Sequence, residues 1–130
     1  MKYYYPATLH PEPDGRLSIW FEDLPGCATY GDDLPDAIYM AGDALPGWLY
    51  AAEKHGVPIP PPSDPSAIPL EPGETITYVF ADTDVYRRRV ESYAVKKTLT
   101  IPAWLAEKAD AANTPYSQVL QEALRARLGL

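Results

Sequence analysis

Seven prolines fall between Val57 and Gly73, three of them consecutive at Pro60-Pro61-Pro62, and no other feature restricts the fold as strongly. A proline lacks the backbone donor that a helix interior or a central strand needs, so this stretch is a connector. The strand-like run Thr75 to Ala81 follows it and requires a sheet to join. The stretch therefore reads as a partly extended, polyproline-like crossing between elements of one domain. A ligand for a proline-binding module is the alternative reading of the same residues.

The sheet that the crossing must reach is expected upstream. Tyr3 to His10 is rich in aromatic and β-branched residues, Pro11 to Gly15 is dense in turn formers, and Leu17 to Phe21 alternates, which predicts an antiparallel hairpin. Leu24-Pro25-Gly26 makes a second turn, and Cys27 to Tyr30 is a short third strand closed by Gly31. A helix is predicted from Leu34 to His55, capped by Asp32 or Asp33, with Pro35 in its first turn and Asp36 near the positive end of its dipole. Ile38, Ala41, Leu45, Trp48, Leu49 and Ala52 make its apolar stripe, Pro46-Gly47 predicts a kink or a break, and Gly56 ends it. The expected order is β-β-β-α-β.

The tail carries a different pattern. After a short charged helical segment around Val85 to Ser92, Lys96 to Ile101 alternates as one amphipathic strand, with Lys96, Thr98 and Thr100 on one face and Leu99 and Ile101 on the other. Pro102 opens one helix, and Thr114 caps a second whose first residue is Pro115. A unit of this size with a single strand cannot bury a sufficient core and leaves both strand edges unpaired. A second copy solves both problems, because two strands pair across a two-fold axis inside four helices. The outer face of that ribbon presents Lys96, Thr98 and Thr100 from each chain, a shape and chemistry suited to the DNA major groove. The start of the second helix offers the backbone N–H groups of Tyr116 and Ser117 and the Ser117 hydroxyl to a phosphate. Lys97 shares the phase of the apolar residues and must snorkel or lie beyond the paired part.

Charge divides in the same way. Residues 1–82 hold three Lys and Arg against thirteen Asp and Glu, a balance of −10, whereas residues 83–130 hold eight against five, a balance of +3. Such asymmetry points to parts with different partners, the basic one being the candidate for nucleic acid. The single cysteine, Cys27, removes any disulfide framework, and no signal peptide or membrane span is expected, which together indicate the cytoplasm.

No catalytic constellation is visible. A two-metal nuclease needs carboxylates converging from strand centres. Here Glu22, Asp23, Asp32, Asp33 and Asp36 sit at strand ends, turns and the helix start. Asp36 and Asp43 share a helix face, where a solvated surface is the plainer reading than a metal site. His10 and His55 are expected at the surface, and Cys27 as a buried, inert thiol. No metal and no cofactor are expected.

Met1 to Ala7, Asp23-Leu-Pro-Gly-Cys-Ala-Thr-Tyr-Gly-Asp32 and Leu34-Pro-Asp-Ala37, combined with Val95-Lys-Lys-Thr-Leu-Thr-Ile-Pro-Ala-Trp-Leu105 and Tyr116 to Leu124, resemble the HicB antitoxins of HicA-HicB toxin-antitoxin systems over nearly the full chain. The resemblance implies an α+β fold in two parts. Residues 1–82 would be an acidic, partial RNase H-like domain that binds and covers a small basic HicA toxin, an RNase with a double-stranded-RNA-binding-like fold. Residues 83–93 would be a partly helical linker. Residues 94–130 would be a ribbon-helix-helix homodimer that binds operator DNA and represses its own operon. The negative charge of the first part fits independently, since an acidic partner speeds encounter with a basic RNA-binding protein and occupies its RNA surface. Asp32, Asp33, Asp36 and Asp43 are the candidate toxin contacts. The alternative is a stand-alone ribbon-helix-helix regulator whose acidic domain senses a ligand or another protein.

Overall fold

Lys2–Pro11 forms β1, a ten-residue strand whose three consecutive tyrosines suit a pleated, half-buried surface. In the computed structural model, which describes residues 1–130, β1 pairs antiparallel with β2 (Leu17–Trp20) on one side and with β4 (Thr75–Asp82) on the other. β3 (Ala28–Gly31) adds to β2, so the order across the sheet is β3-β2-β1-β4. The registers Leu9 with Ile19 and Tyr5 with Val79 bring these four side chains to one face, and all four are buried. The hairpin, the third strand and the strand after the crossing thus stand where turn chemistry and alternation predict them.

α1 (Leu34–His55) covers the buried face. Of the two caps expected, Asp33 is the one used: its carboxylate accepts from the Asp36 N–H at 2.9 Å, and the Asp36 carboxylate accepts in return from the Asp32 N–H at 2.8 Å. Gly56 closes the far end in the left-handed region, at φ 66°, with its N–H directed at Ala52 and Glu53.

Two expectations for α1 are corrected. The helix does not break at Pro46-Gly47 but runs through both, because Pro46 is itself part of the buried stripe and Gly47 allows close packing. A Cβ on Gly47 would stand 3.1 Å from the Tyr86 hydroxyl. The buried stripe is also rotated: Ala37, not Ile38, heads the series Ala41, Leu45, Leu49 and Ala52, and Ile38 is 40% exposed. The cause lies in Gly31, where an added Cβ would sit 2.2 Å from the Ala37 nitrogen, so the helix start lies directly on the β3 backbone and only a small side chain fits there.

The proline-rich crossing is fastened to this unit along its length. Ile68 is buried and Ile59 packs on the core. The buried Tyr5 hydroxyl donates to the Pro60 carbonyl, and the Ser63 N–H donates to Asp23 at 2.9 Å. A 3-10 turn over Pro65–Ala67 is capped by Asp64. The helix expected around Val85 to Ser92 is α2 (Thr83–Val90), which begins earlier because Asp82 caps it through the Asp84 N–H. It packs on α1 through Tyr86 against Tyr50 and through the buried Thr83, whose Oγ1 lies 2.6 Å from Glu53 Oε1.

Ala94–Leu130 is a second compact unit, distinct from Met1–Tyr93. It holds α3 (Ala103–Ala111), preceded by Pro102, and α4 (Tyr116–Leu128). Contrary to the expectation from sequence, Thr114 does not cap α4. Its N–H instead bonds to Ala109 O at 3.0 Å, after Asn113 at φ 51°, and so completes the end of α3. Pro115 takes the N-cap position of α4, with no side-chain cap. Residues 95–101 pair with no strand in this single chain.

Candidate functional site

The tail unit has an unusual surface budget: not one residue from 94 to 130 is buried. Leu99, Ile101, Leu105, Val119, Leu124 and Leu128 are all between 41% and 67% exposed. Leu99, Ile101, Val119, Leu120 and Ala123 line one side of a hollow of about 560 Å³, and Lys97, Tyr116 and Ser117 border it. Lys97 thus shares the side of Leu99 and Ile101, as its phase in the sequence requires. Lys96, Thr98 and Thr100 occupy the intervening positions and are exposed. Tyr116 and Ser117 are the first residues of α4, where the first backbone N–H groups have no intrahelical acceptor. The Tyr116 hydroxyl donates to the Asp110 carboxylate, an interaction that pushes the phenol pKa up.

In the first unit, the four candidate acids fall along one helix but differ in what they already do. Asp33 and Asp36 close the capping arrangement at the start of α1, while Asp43 accepts from Arg89 Nη2 of α2 at 2.8 Å. The Asp32 carboxylate makes no hydrogen bond or ion pair. Asp36 and Asp43 do not converge with a third ligand, so the metal reading of that pair has no geometric support. The strands carry one carboxylate, Asp82 at the end of β4, and no converging set at strand centres.

The outer face of the sheet is aromatic. Tyr4 of β1 stands opposite Phe80 of β4, Tyr78 lies two pairs further along opposite Pro6, and all three aromatic residues are more than half exposed. Tyr4 and Tyr78 meet edge to face at 5.8 Å. Sequence alternation predicts which strand residues share this face, but not that its Tyr4, Tyr78 and Phe80 end stays uncovered while Pro6 and Thr8 on the same face are buried.

One histidine differs from expectation. His10 is not an isolated surface residue: its Nδ1 lies 2.8 Å from Glu74 Oε2, and the Glu74 side chain is only 5% exposed. Glu71 lies beside the same pair. No local sequence signal links residues 64 positions apart. Cys27 is buried as expected, with Sγ 3.9 Å from the Ala44 carbonyl oxygen, and burial pushes its thiol up to about 11. No helix is long and apolar enough to cross a membrane.

Over residues 5–124 the chain matches the family described as HicB_like antitoxin of bacterial toxin-antitoxin system. It is 31% identical over 91 residues to Antitoxin HicB 1 of Photorhabdus laumondii, an alignment covering 67% of this chain and 59% of that protein. The chain therefore spans little more than half the length of this curated relative. Its fold is similar to a chain of a toxin-antitoxin complex from Streptococcus pneumoniae, with a TM-score of 0.63 at 23% identity, covering 98% of this chain and 99% of that one. A crystal structure of antitoxin HicB3 is similar with a TM-score of 0.52 at 29% identity, covering 96% of this chain and 97% of that one. The α+β arrangement with a four-stranded antiparallel sheet is common ground with these neighbours.

Proposed function

Since this chain belongs to the HicB-like antitoxin family of bacterial toxin-antitoxin systems, we propose that it neutralises a small, basic HicA-type RNase by covering it, and that it represses its own operon as a ribbon-helix-helix dimer. In this reading residues 1–82 form a partial RNase H-like toxin-binding domain, residues 83–93 a partly helical linker whose helix α2 is docked on α1, and residues 94–130 the DNA-binding and dimerisation module.

The observation that carries the reading is the tail without a buried residue. A strand-helix-helix unit of 37 residues that leaves Leu99, Ile101, Val119 and Leu124 exposed gains too little from apolar burial to offset chain entropy. A second copy that pairs residues 95–101 antiparallel closes the hollow from the opposite side. Lys96, Thr98 and Thr100 then face outward from the ribbon, where Lys donates to guanine O6 and N7, and Thr contacts either a hydrogen-bonding edge or a thymine methyl. The N–H groups at Tyr116 and Ser117 fix the position on the phosphates.

Two features of the first unit support toxin masking. Its charge of −10 over residues 1–82 complements an RNA-binding partner, and its exposed Tyr4, Tyr78 and Phe80 supply the aromatic contact area that protein interfaces favour. Asp32, Asp33 and Asp36 at the start of α1 and Asp43 further along it extend that acidic surface. Inhibition is occupation of the RNA-binding surface, with no chemistry on the antitoxin side.

The test is co-expression with a small basic HicA-type protein. Growth arrest by that protein alone, relief by this chain, and co-purification of the two support the reading. Growth that this chain does not restore overturns it.

A further inference from the structure

His10, Glu71 and Glu74 bring one imidazole and two carboxylates together, with one ligand atom from each lying within 4.8 Å of the others. They line a hollow of about 380 Å³ whose wall also includes Glu22 and the Trp20 indole. We propose that His10, Glu71 and Glu74 form a binding site for a first-row divalent transition ion, zinc foremost, with water completing its coordination.

The placement is built rather than accidental. Glu71 and Glu74 are held in one closed turn: the Glu74 N–H donates to the Glu71 carbonyl at 3.0 Å, and the Glu71 N–H donates to the Glu74 carboxylate at 2.8 Å. That turn ends the proline-rich crossing and leads into β4, while His10 lies on β1. The Glu74 side chain is 95% covered, and its carboxyl is held below the usual range first by the Glu71 N–H and then by His10. Three carboxylates and one imidazole surround the hollow without a lysine or arginine, so a cation relieves their mutual repulsion.

The donor set selects the ion. An imidazole nitrogen suits zinc, nickel, copper and iron, whereas magnesium and calcium prefer oxygen alone. Ligand bonds of about 2.0–2.2 Å to zinc place neighbouring donors roughly 3.3 Å apart, so His10 Nδ1 and Glu74 Oε2 need to separate only slightly from their present contact. With the imidazole proton on Nε2, the ion takes the place of the His10–Glu74 contact, and Glu71, which is exposed, closes the third side. Its effect is to staple the end of the crossing to β1. The site stands independently of toxin and DNA binding.

Calorimetric titration of the full chain with zinc chloride after chelator treatment tests the site. At about pH 7.5 one high-affinity ion per chain is expected, with a midpoint of thermal unfolding that rises with zinc concentration. Glu71→Gln and His10→Gln should each weaken that binding at least about tenfold. Cobalt(II) should give visible absorption bands that either substitution removes. Glu71 is at the surface, so its variant folds and the comparison stands even if His10→Gln does not. No zinc uptake overturns the proposal, as does uptake unchanged in both variants, which assigns the ion elsewhere, for instance to His55. Magnesium binding as tight as zinc overturns it too.

Discussion

Arg89 Nη2 donates to Asp43 Oδ1 at 2.8 Å, so one of the four acids proposed to face the toxin is already partnered by the protein's own α2. Asp33 and Asp36 are engaged at the start of α1, and only the Asp32 carboxylate is uncommitted. The four therefore separate by measurement. In urea unfolding, Asp33→Ala should cost about 1 kcal/mol through loss of the cap, and Asp43→Asn less than about 1 kcal/mol because both partners are exposed. Asp32→Asn should leave stability unchanged and slow association with the toxin at low salt. An Asp32 variant with an unaltered association rate removes this residue from the interface.

Gly31 illustrates how one backbone approach sets the phase of a helix. Its missing Cβ lets Ala37 lie against β3, and Ile38 is turned outward as a result. Gly31→Ala places a methyl group 2.2 Å from a backbone nitrogen, which no rotamer change relieves. A loss of roughly 3 kcal/mol is expected in chemical denaturation, at the upper end for overpacking. A loss below about 0.5 kcal/mol would mean that α1 can slide off the sheet.

These two positions also show what was legible beforehand. The bounds of α1 and the β-β-β-α-β order were readable because Asp33, Pro35, Gly56 and the turn residues act locally. The rotation from Ile38 to Ala37 was not, since it depends on contact with a strand and not on helical period. His10 looked isolated because its partners lie across the crossing, and the continuity of α1 through Pro46 reflects packing that outweighs one missing donor. The run 95–101 alternates clearly in sequence, yet a single chain offers it no neighbour.

Thr8 carries the one buried side-chain oxygen without a hydrogen-bond partner. It lies in the middle of β1 between Trp20 and Ile76, where it is desolvated for no return. Thr8→Val keeps the branched shape and removes the stranded hydroxyl, so unfolding free energy should rise by about 1 kcal/mol. A destabilised valine variant would show that an ordered water satisfies the oxygen.

Cys27 gives a pH dependence with a definite sign. Burial pushes its thiol from 9.0 up to about 11, so between those values the folded chain keeps a proton that the unfolded chain releases. Stability from this group is complete below about pH 9 and is lost as pH rises towards 11, to an extent of about 2–3 kcal/mol. Tyr5 is raised by burial as well and acts in the same direction, so the informative quantity is the difference from Cys27→Ala. The alanine variant should show a shallower alkaline decline. At about pH 8 the native thiol should also resist iodoacetamide, while the urea-unfolded chain reacts.

In the proposed dimer the tail separates folding from recognition. Leu99 and Ile101 face the hollow, whereas Lys96 lies in the alternate phase and is exposed. Ile101→Asp should yield monomers in light scattering and lose helical signal from the tail, since a carboxylate replaces an apolar side chain that the second copy must cover. Lys96→Ala should remain a dimer and keep toxin inhibition. Its operator affinity should fall about tenfold or more, with a shallower dependence on salt if the lysine contacts phosphate, or with relaxed preference at one base pair if it contacts guanine. If Ile101→Asp stays dimeric, the chains associate through another surface and the ribbon does not form. If Lys96→Ala binds DNA as well as the parent chain, the ribbon exists for dimerisation alone and sequence is read elsewhere.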